Sequence, residues 1–449
     1  MPLPSNPGSA DPAMPRLHHL LVRATGAGRH EIAAMVWGFA YFFCLLSGYY
    51  LLRPLRDAMG LVGGANRLQW LFTATFVAML LLVPVFGAIT ARWPPRRFVP
   101  VVYRFFALNI LAFGVLFATG VQEVAVSRVF FVWISVFNLF VVSIFWSVLA
   151  DNFSNEQGRR LFGFIAAGGT AGALAGPAIA ALLAVQFGVA VLTLIAAVLL
   201  ELAVQCFRGL VSATAGWKTN PGPDVQRGTP EPTPADVRLG GGMFGGVMLI
   251  LRDRYLLGIV MFLLLHTFAS TLLYFEQARI VAAALSDTAE RTRLFAVVDF
   301  SVSCLTILLQ LLVTGRFLKH AGVAAALALL PLAGMLAFAG IALWPTLAML
   351  VAVQTLRRSV DYAIVRPGRE VLFTVVGREA KYKAKSVIET VVYRGGDAVS
   401  GWISAALTGI GVGFTGIALL FLPLTALWVM LSKRLAAGME MRKAQGNIE

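Results

Sequence analysis

Residues 218–236 of this 449-residue chain read KTNPGPDVQRGTPEPTPAD, and this polar segment divides the chain in two. Its prolines and its polarity prevent it from forming a packed core. Apolar stretches fill most of the sequence on either side, so that 58% of the residues are hydrophobic and only 13% are charged. Soluble proteins carry about 25% charged residues. The sequence therefore predicts an all-α integral membrane protein and argues against a soluble enzyme.

Six apolar stretches precede the polar segment and six follow it, and most approach the ~20 residues that a helix needs to cross a bilayer. We therefore expect twelve transmembrane helices, called spans 1–12, at residues 33–52, 69–90, 101–120, 129–150, 161–186, 188–207, 255–276, 294–315, 321–343, 346–361, 386–408 and 411–432. The expected domains are an N-terminal tail (1–31), a six-helix half (32–207), a linker (208–245), a second six-helix half (246–432) and a C-terminal tail (433–449).

Positive residues are distributed unequally between the two sides of this predicted membrane. With Met1 placed in the cytoplasm, and with Arg357 and Arg358 near the end of span 10 counted as cytoplasmic, 28 of the 37 Lys and Arg residues fall on the cytoplasmic side and seven fall on the opposite side. An excess of positive loops marks the cytoplasmic side, so we expect both termini there. The net charge of +15 then faces anionic lipid. We expect the lipid bilayer, and no nucleic acid, as the partner of these loops.

Two six-helix halves joined by a long cytoplasmic linker are the architecture of the major facilitator superfamily, in which substrate binds near the midplane between the halves. Span 5 adds small residues along one face, which permit close approach of another helix. These are Gly163, Gly168, Gly172 and Gly176, followed by Pro177. The pattern also resembles the fifth-helix motif of drug/proton antiporters of that superfamily, with Ala180 and Ala181 in place of its last two glycines. A packing seam and an antiporter motif both remain open.

The most informative charges stand at the end of span 1, in GYYLLRPLRDAMG (residues 48–60). Arg53, Arg56 and Asp57 lie at i, i+3 and i+4, so they share a helix face. Charges at the centre of a bilayer cost at least ~2.5–3.5 kcal/mol each, so they persist where they are paired or line a watery cavity. Two guanidinium groups suit a phosphate or carboxylate, and Asp57 would orient them. The alternative is a structural Arg–Asp pair at the rim.

Acidic residues interrupt two later spans. Glu276 ends span 7 in YFEQAR, and Asp299 lies within span 8 in FAVVDFS. Each could carry a proton or bind a substrate group, and each could instead pair with a nearby arginine. Both are therefore candidates for a coupling role.

The second charge-rich segment, residues 366–397, leads into span 11. We expect its first part, through Lys385, to be a cytoplasmic gate, with Lys383, Lys385 and Glu389 as gating candidates. Arg394 and Asp397 lie at i and i+3 within the span itself, with two glycines between them. They either line the cavity or neutralise each other as a structural pair.

The motifs of catalytic and metal sites are missing from the sequence. It contains no P-loop, no HExxH and no GxSxG, and its five histidines lack ligand spacing. We therefore expect no enzymatic activity, no cofactor and no metal.

Four motifs together resemble the ATP/ADP translocase (NTP/NDP exchange) family of intracellular bacteria and plastids. They are LLRPLRD in span 1, the FW pair with ADNF at the end of span 4, YFEQ in span 7 and KYKAKSVIETVVYRGGD before and within span 11. The resemblance covers residues 32–432 and implies a major-facilitator-like fold in a bacterial inner membrane. It also implies a small anionic substrate, with nucleotides as the first candidates, and it leaves the oligomeric state open with a monomer plausible.

The resemblance assigns roles to some residues and fails for others. It implies that Arg53 or Arg56 is the basic residue of span 1 and that Glu276 is the acidic residue of span 7. In span 4 the expected acid is missing around Ile134 and Ser135, and Asp397 stands where the family has a lysine in span 11. The cargo implied is a phosphate-bearing metabolite that need not be ATP.

Three hypotheses follow. The first is a secondary transporter of an anionic, phosphate-bearing metabolite, in which Arg53 and Arg56 bind the anion and Glu276, Arg394 and Asp397 rearrange between states. The second is a proton-coupled exporter of drug-like molecules, with Asp299 or Glu276 as the proton carrier. The third is a non-transporting structural or lipid-scrambling protein, whose intramembrane charges would tolerate paired neutral substitution.

Overall fold

A computed structural model describes residues 28, 31–90, 93–219, 242–377, 384–385 and 387–446. The first half contains the helices α1 Ile32–Met59, α2 Leu68–Thr90, α3 Pro95–Thr119 and α4 Glu123–Asn152. A longer helical run, Asn155–Thr219, is interrupted at Gly188, whose φ of 73° belongs to the left-handed region that favours glycine. We call the part before Gly188 α5 and the part after it α6.

The second half begins with a short helix, Gly242–Arg252, followed by α7 Arg254–Ala284 and α8 Thr288–Leu309. A π-helical turn, Gln310–Thr314, continues α8 into the run Gly315–Leu343. Gly322, with a φ of 76°, breaks this run, and α9 is the part that follows it. The remaining helices are α10 Leu347–Val360, α11 Tyr393–Gly409 and α12 Phe414–Gly446.

The described residues contain eight helical runs that are long and apolar enough to cross a membrane. Two of these runs are 56 residues long and break at Gly188 and Gly322, so they supply α5, α6, α8 and α9. α10 and α11 complete the twelve, although both carry charges. The predicted twelve-helix, two-half architecture is confirmed.

Several predicted boundaries differ from those of the structure. Span 10 was expected to end at residue 361, but α10 continues through a π-helical turn, Asp361–Val365, into the helix Arg366–Leu372, and the name α10 is used below for this whole run, residues 347–372. α6 extends to Thr219, into the expected linker, and α12 extends to Gly446, into the expected tail. Helix-forming residues outside the apolar stretches explain these extensions. Residues 220–241 of the linker lie outside the described part.

The glycines of α5 form a packing seam against α1. A Cβ atom added at Gly172 would lie 2.6 Å from the carbonyl oxygen of Phe43, and one added at Gly176 would lie 2.6 Å from that of Ser47. Real Cβ atoms do not approach so closely, so only glycine lets the two backbones touch here. Close packing is therefore sufficient to explain these positions. Gly163 has open space around its Cα atom and takes no part in the seam.

Two side-chain hydroxyl groups, one in α8 and one in the π-helical turn that follows it, donate to backbone carbonyl groups. Each of these carbonyl groups lacks its helical N–H donor because of a proline. Proline has no N–H, so the carbonyl group four residues before it lacks its usual partner. Ser303 donates to the Ala173 carbonyl of α5, four residues before Pro177, at 3.1 Å. Thr314 donates at 2.9 Å to the Ala363 carbonyl of α10, four residues before Pro367. The first bond joins the two halves of the molecule.

One end of the bundle is sealed where the C-terminal end of α1 and the start of α2 meet α7 and α11. The indole rings of Trp70 and Trp402 pack edge to face with centroids 4.8 Å apart, and the Trp402 indole N–H donates to Thr73 at 3.0 Å. Phe72 packs against Tyr274, with ring centroids 5.5 Å apart. We call this the sealed end. The opposite end, where α1 begins and α12 ends, is the terminal end.

Candidate substrate-binding site

A cavity of about 920 Å³ lies between the two halves and extends from the sealed end toward the terminal end. Its walls are rich in arginine and aromatic side chains. The arginines are Arg53, Arg56, Arg357, Arg358, Arg366, Arg369 and Arg394. The acids are Asp57, Asp361 and Asp397, with Asp299 in an adjoining pocket that shares Arg53 and Arg358. Among the lining residues that the structure describes, seven arginines against four aspartates leave an excess of three positive charges.

At the end of α1, Arg56 and Asp57 form a closed pair. The Arg56 guanidinium donates through Nη2 and Nε to Oδ1 of Asp57, at 2.6 and 3.0 Å. The Tyr274 hydroxyl from α7 donates to the same oxygen at 3.1 Å. Arg56 also lies over the Phe131 ring, 4.9 Å from its centroid, and reaches Ser135 at 3.3 Å. The carboxylate of Asp57 therefore neutralises the charge of Arg56.

Arg53 faces away from Asp57 and joins a second cluster that connects the halves. Asp299 of α8 lies between two guanidinium groups, 2.6 Å from Nη2 of Arg358 and 3.6 Å from Nε of Arg53. Asp299 is only 3% exposed, whereas Arg53 reaches the cavity. A carboxylate in this position acts as a counter-ion for both arginines. This placement differs from that of an isolated proton carrier.

A third cluster lies in the C-terminal part of α10, from Asp361 onward. Asp361 lies 3.5 Å from Nε of Arg366 and 3.9 Å from Nε2 of the buried His266 on α7. The Arg366 guanidinium also packs over the Tyr362 ring, 4.2 Å from its centroid. Arg369 follows one turn later and lines the cavity nearer the terminal end. These residues make α10 the most strongly charged wall.

Arg357 differs from these arginines because its hydrogen-bond partners in the described part of the chain are neutral. Its Nη1 donates to the Ser270 hydroxyl at 3.1 Å, and its Nη2 donates to Oε1 of Gln354 at 3.2 Å. Gln354 in turn donates to Gln277 at 2.6 Å. All three partners come from α7 or α10 and line the cavity. Arg357 itself is 7% exposed.

The predicted residues of span 11 also line the cavity. Asp397 accepts from the Thr271 hydroxyl at 3.2 Å, and Nη1 of Arg394 lies 4.0 Å from its other carboxylate oxygen. Two glycines separate them within a continuous helix, and Gly396 gives close contact with Thr267 of α7. Close packing against α7 therefore explains the glycine at position 396.

Glu276 lies apart from the cavity. It pairs with Arg279 at 3.2 Å, and Arg279 also donates to Thr408 of α11. Glu276 is not one of the described residues that line the cavity. A role for it in substrate contact finds no geometric support in this conformation.

The gating candidates are partly described. Lys385 pairs with Glu370 at 2.6 Å and lies near the Phe373 ring. Lys383 lies outside the described residues, as does the side chain of Glu389, whose backbone belongs to the π-helical turn Ile388–Val392. Their role as a gate stays a prediction.

Sequence reasoning missed the arginines of α10. The stretch from Arg366 was expected to be a cytoplasmic gate, and Arg357 and Arg358 were counted among the cytoplasmic charges; the cavity contains all three, together with Arg369. The sequence does contain an indication of this placement. The polar residues Arg358, Tyr362, Arg366 and Arg369 follow one another at helical spacing, which indicates one face of a helix. Without these four arginines and the two of span 1, the positive residues divide 24 to five, so the predicted asymmetry survives.

Comparison with known proteins agrees with this architecture. Residues 38–356 match the Major Facilitator Superfamily. The crystal structure of the nucleoside transporter NupG aligns over 90% of this chain and 98% of its own, with a TM-score of 0.59 and 13% identity. A POT family transporter in complex with a thioalcohol-conjugated peptide aligns over 89% and 96%, with a TM-score of 0.59 and 11% identity. No curated protein matches the sequence. The twelve helices, the central cavity and the sequence match agree that the chain belongs to the Major Facilitator Superfamily.

Proposed function

We propose that this transporter carries an anionic, phosphate-bearing metabolite across the membrane by alternating access. The observation that carries the proposal is the charge of the cavity, where seven arginines face four aspartates. An excess of positive charge inside a membrane is costly, and a bound anion would offset it. Arginine favours phosphate and carboxylate because its planar fork donates two parallel hydrogen bonds to them.

Nucleotides are the first candidates for the cargo, and exchange is the proposed mode. The span 1 and span 11 motifs resemble those of ATP/ADP translocases, and aromatic side chains line the cavity beside the arginines. These include Phe72, Tyr50, Tyr362 and Tyr393. Aromatic faces suit the ring of a nucleobase, and the cavity volume lies within the range of ligand pockets. Asp397, where that family has a lysine, would tune the choice of cargo.

We place the terminal end of the bundle in the cytoplasm, in a bacterial inner membrane. The support is the excess of Lys and Arg in the loops of that end. In this orientation the seal of Trp70 and Trp402 faces the periplasm, and the structure corresponds to an inward-facing state. A ligand shifts such a state only by binding the two conformations unequally.

The alternative is a proton-coupled exporter of drug-like molecules. Its sequence support came from the glycines of α5 and from Asp299 or Glu276 as proton carriers. The glycines are explained by the contact with α1, Asp299 lies between two arginines, and Glu276 pairs with Arg279. The geometry therefore favours the anion transporter.

Uptake of labelled ATP and ADP into proteoliposomes of the purified protein tests the proposal, with and without unlabelled nucleotide inside. We expect uptake that requires internal nucleotide. Uptake driven by a pH gradient without any internal nucleotide would favour the exporter class. No uptake under either condition, from folded protein, would reject nucleotides as cargo.

A further inference from the structure

Among the side chains that the structure describes, the buried Arg357 guanidinium has no counter-ion. Its two terminal nitrogens donate to neutral oxygens of Ser270 and Gln354, and its Nε has no hydrogen-bond partner in the described part of the chain. Among the described residues, no carboxylate lies within the 4.0 Å that defines an ion pair with Arg357. Arg357 is thus a buried arginine of the cavity for which the structure describes no ion-pair partner.

The nearby acids are engaged elsewhere. Asp361, one helical turn from Arg357, faces Arg366 and His266 at 3.5 and 3.9 Å. Asp299 is held by Arg358 and Arg53. These contacts leave an uncompensated positive charge on the α7–α10 wall of the cavity.

The surroundings of Arg357 hold it in a fixed orientation. Gln277 accepts from the amide nitrogen of Gln354, which determines which end of the Gln354 amide is presented to the arginine. The Gln354 oxygen and the Ser270 hydroxyl then hold one terminal nitrogen each. Preorganised groups of this kind are typical of a binding site, because little conformational entropy is lost when the ligand arrives.

An unpaired buried charge costs several kcal/mol, and a protein retains it where function requires it. We propose that Arg357 is the docking point for the anionic group of the substrate in this conformation. The group is a phosphate or carboxylate, which matches the guanidinium fork. The inference deepens the function proposed above and rests on it for the statement that the docked anion is cargo. The docking site itself can be tested without transport.

The test uses a thiol placed beside the arginine. Ser270→Cys is made in a background in which Cys44, Cys206 and Cys304 are replaced by alanine. The rate of modification is measured with an anionic and a cationic methanethiosulfonate reagent of similar size. We expect the anionic reagent to react faster and millimolar inorganic pyrophosphate to slow the reaction. Arg357→Gln should reduce the preference at least about fivefold, which one charge about 4 Å away produces even in water.

Two further variants keep the result interpretable. Arg358→Gln is the matched control, because it removes the neighbouring arginine that Asp299 already neutralises; pyrophosphate protection should persist in it. Arg357→Lys keeps the charge without the fork, so the reagent preference should persist while protection weakens. Gel filtration shows whether Arg357→Gln is folded. If it is not, the Arg357→Lys variant still tests whether protection by pyrophosphate depends on the guanidinium group.

The inference is overturned if Arg357→Gln keeps both the reagent preference and the pyrophosphate protection, or if pyrophosphate protects none of the variants. Failure of the proposed function gives a different result. Protection that depends on Arg357, in a protein that takes up no phosphate-bearing metabolite, would retain the anion site and reject its role in transport.

Discussion

The arginines of α1 and Arg357 of α10 differ in whether an acidic side chain lies against them. In α1, Arg56 is held by the adjacent Asp57, and Arg53 is held by Asp299 across the interface between the halves. In α10, the described polar partners of Arg357 are neutral side chains of its own half. The motif that is most conspicuous in the sequence therefore carries arginines with acidic partners, whereas an inconspicuous arginine has no such partner among the described residues. Charge in a membrane protein indicates a ligand only where the protein has not balanced it itself.

The largest expected effect comes from removing the free charge. We expect Arg357→Gln to lower uptake of the anionic cargo by about 100-fold or more, which corresponds to roughly 3 kcal/mol for a hydrogen-bonded charge pair. Neutralising the nearest acid as well, with Asp361→Asn, should not restore uptake, because no described acid balances Arg357. Initial uptake rates in proteoliposomes give the measurement. Recovery in this double variant would show that Arg357 is a structural partner of Asp361.

Removal of a balanced charge should behave in the opposite way. Arg56→Gln leaves Asp57 buried without its partner, which costs about 3–5 kcal/mol of stability. The double variant Arg56→Gln/Asp57→Asn removes both charges, so we expect it to recover thermal stability and part of the uptake. Thermal unfolding in detergent and uptake rates are compared for the single and the double variants. A double variant that is stable but inactive would instead make Arg56 a direct contact of the cargo.

An intermediate effect is expected at the carboxylate that connects the halves. Asp299→Asn leaves Arg53 and Arg358 without their counter-ion and raises the positive excess of the cavity from three to four. We expect inorganic pyrophosphate or nucleotide to bind about tenfold more tightly, because an internal competitor of the anion has been removed. Isothermal titration with the purified variant measures this change. Weaker binding would show that Asp299 holds the arginines in the geometry that the anion needs.

The smallest effects concern the neutral groups that orient each arginine. Gln277→Leu removes the hydrogen bond that orients Gln354 toward Arg357, and we expect the KM for uptake to rise about five- to tenfold. Ser135→Ala removes the 3.3 Å contact with Arg56, which Asp57 already holds, so its KM should change by less than about twofold. Equal effects of the two substitutions would remove the distinction between the free and the balanced arginine.

The architecture was predictable because apolar length and positive loops report directly on the membrane. The twelve spans and the two halves follow from them, and Arg53, Arg56, Asp57, Arg394 and Asp397 do lie along the cavity. The pairing of these residues was not predictable. Asp299 is 246 positions from Arg53, and only the packing of α8 against α1 brings them together.

The location of the α10 arginines in the cavity was not predictable from hydropathy, for a different reason. Their charges lower the hydropathy of the helix, so the apolar pattern predicts an end of span 10 at residue 361. Arg366 and Arg369 then fall in a cytoplasmic loop, with Arg357 and Arg358 at its edge. A positive residue that lines a cavity and one that faces the cytoplasm have the same signature in a hydropathy profile. The helical spacing of residues 358, 362, 366 and 369 distinguishes the two cases, because residues of an irregular loop are not expected to follow a helical period.

The π-helical turn Asp361–Val365 determines which residues of α10 face the cavity. A turn of this kind contains one residue more than an α-helical turn, and one residue corresponds to about 100° around the helix axis. The angular position of Arg366 and Arg369 relative to Arg357 therefore depends on a single inserted residue. Conversion of this turn to α-helical geometry, with every residue kept, would leave the packing of Leu347–Val360 intact and would rotate Arg366 and Arg369 by about 100° around the helix axis, away from the ligand path.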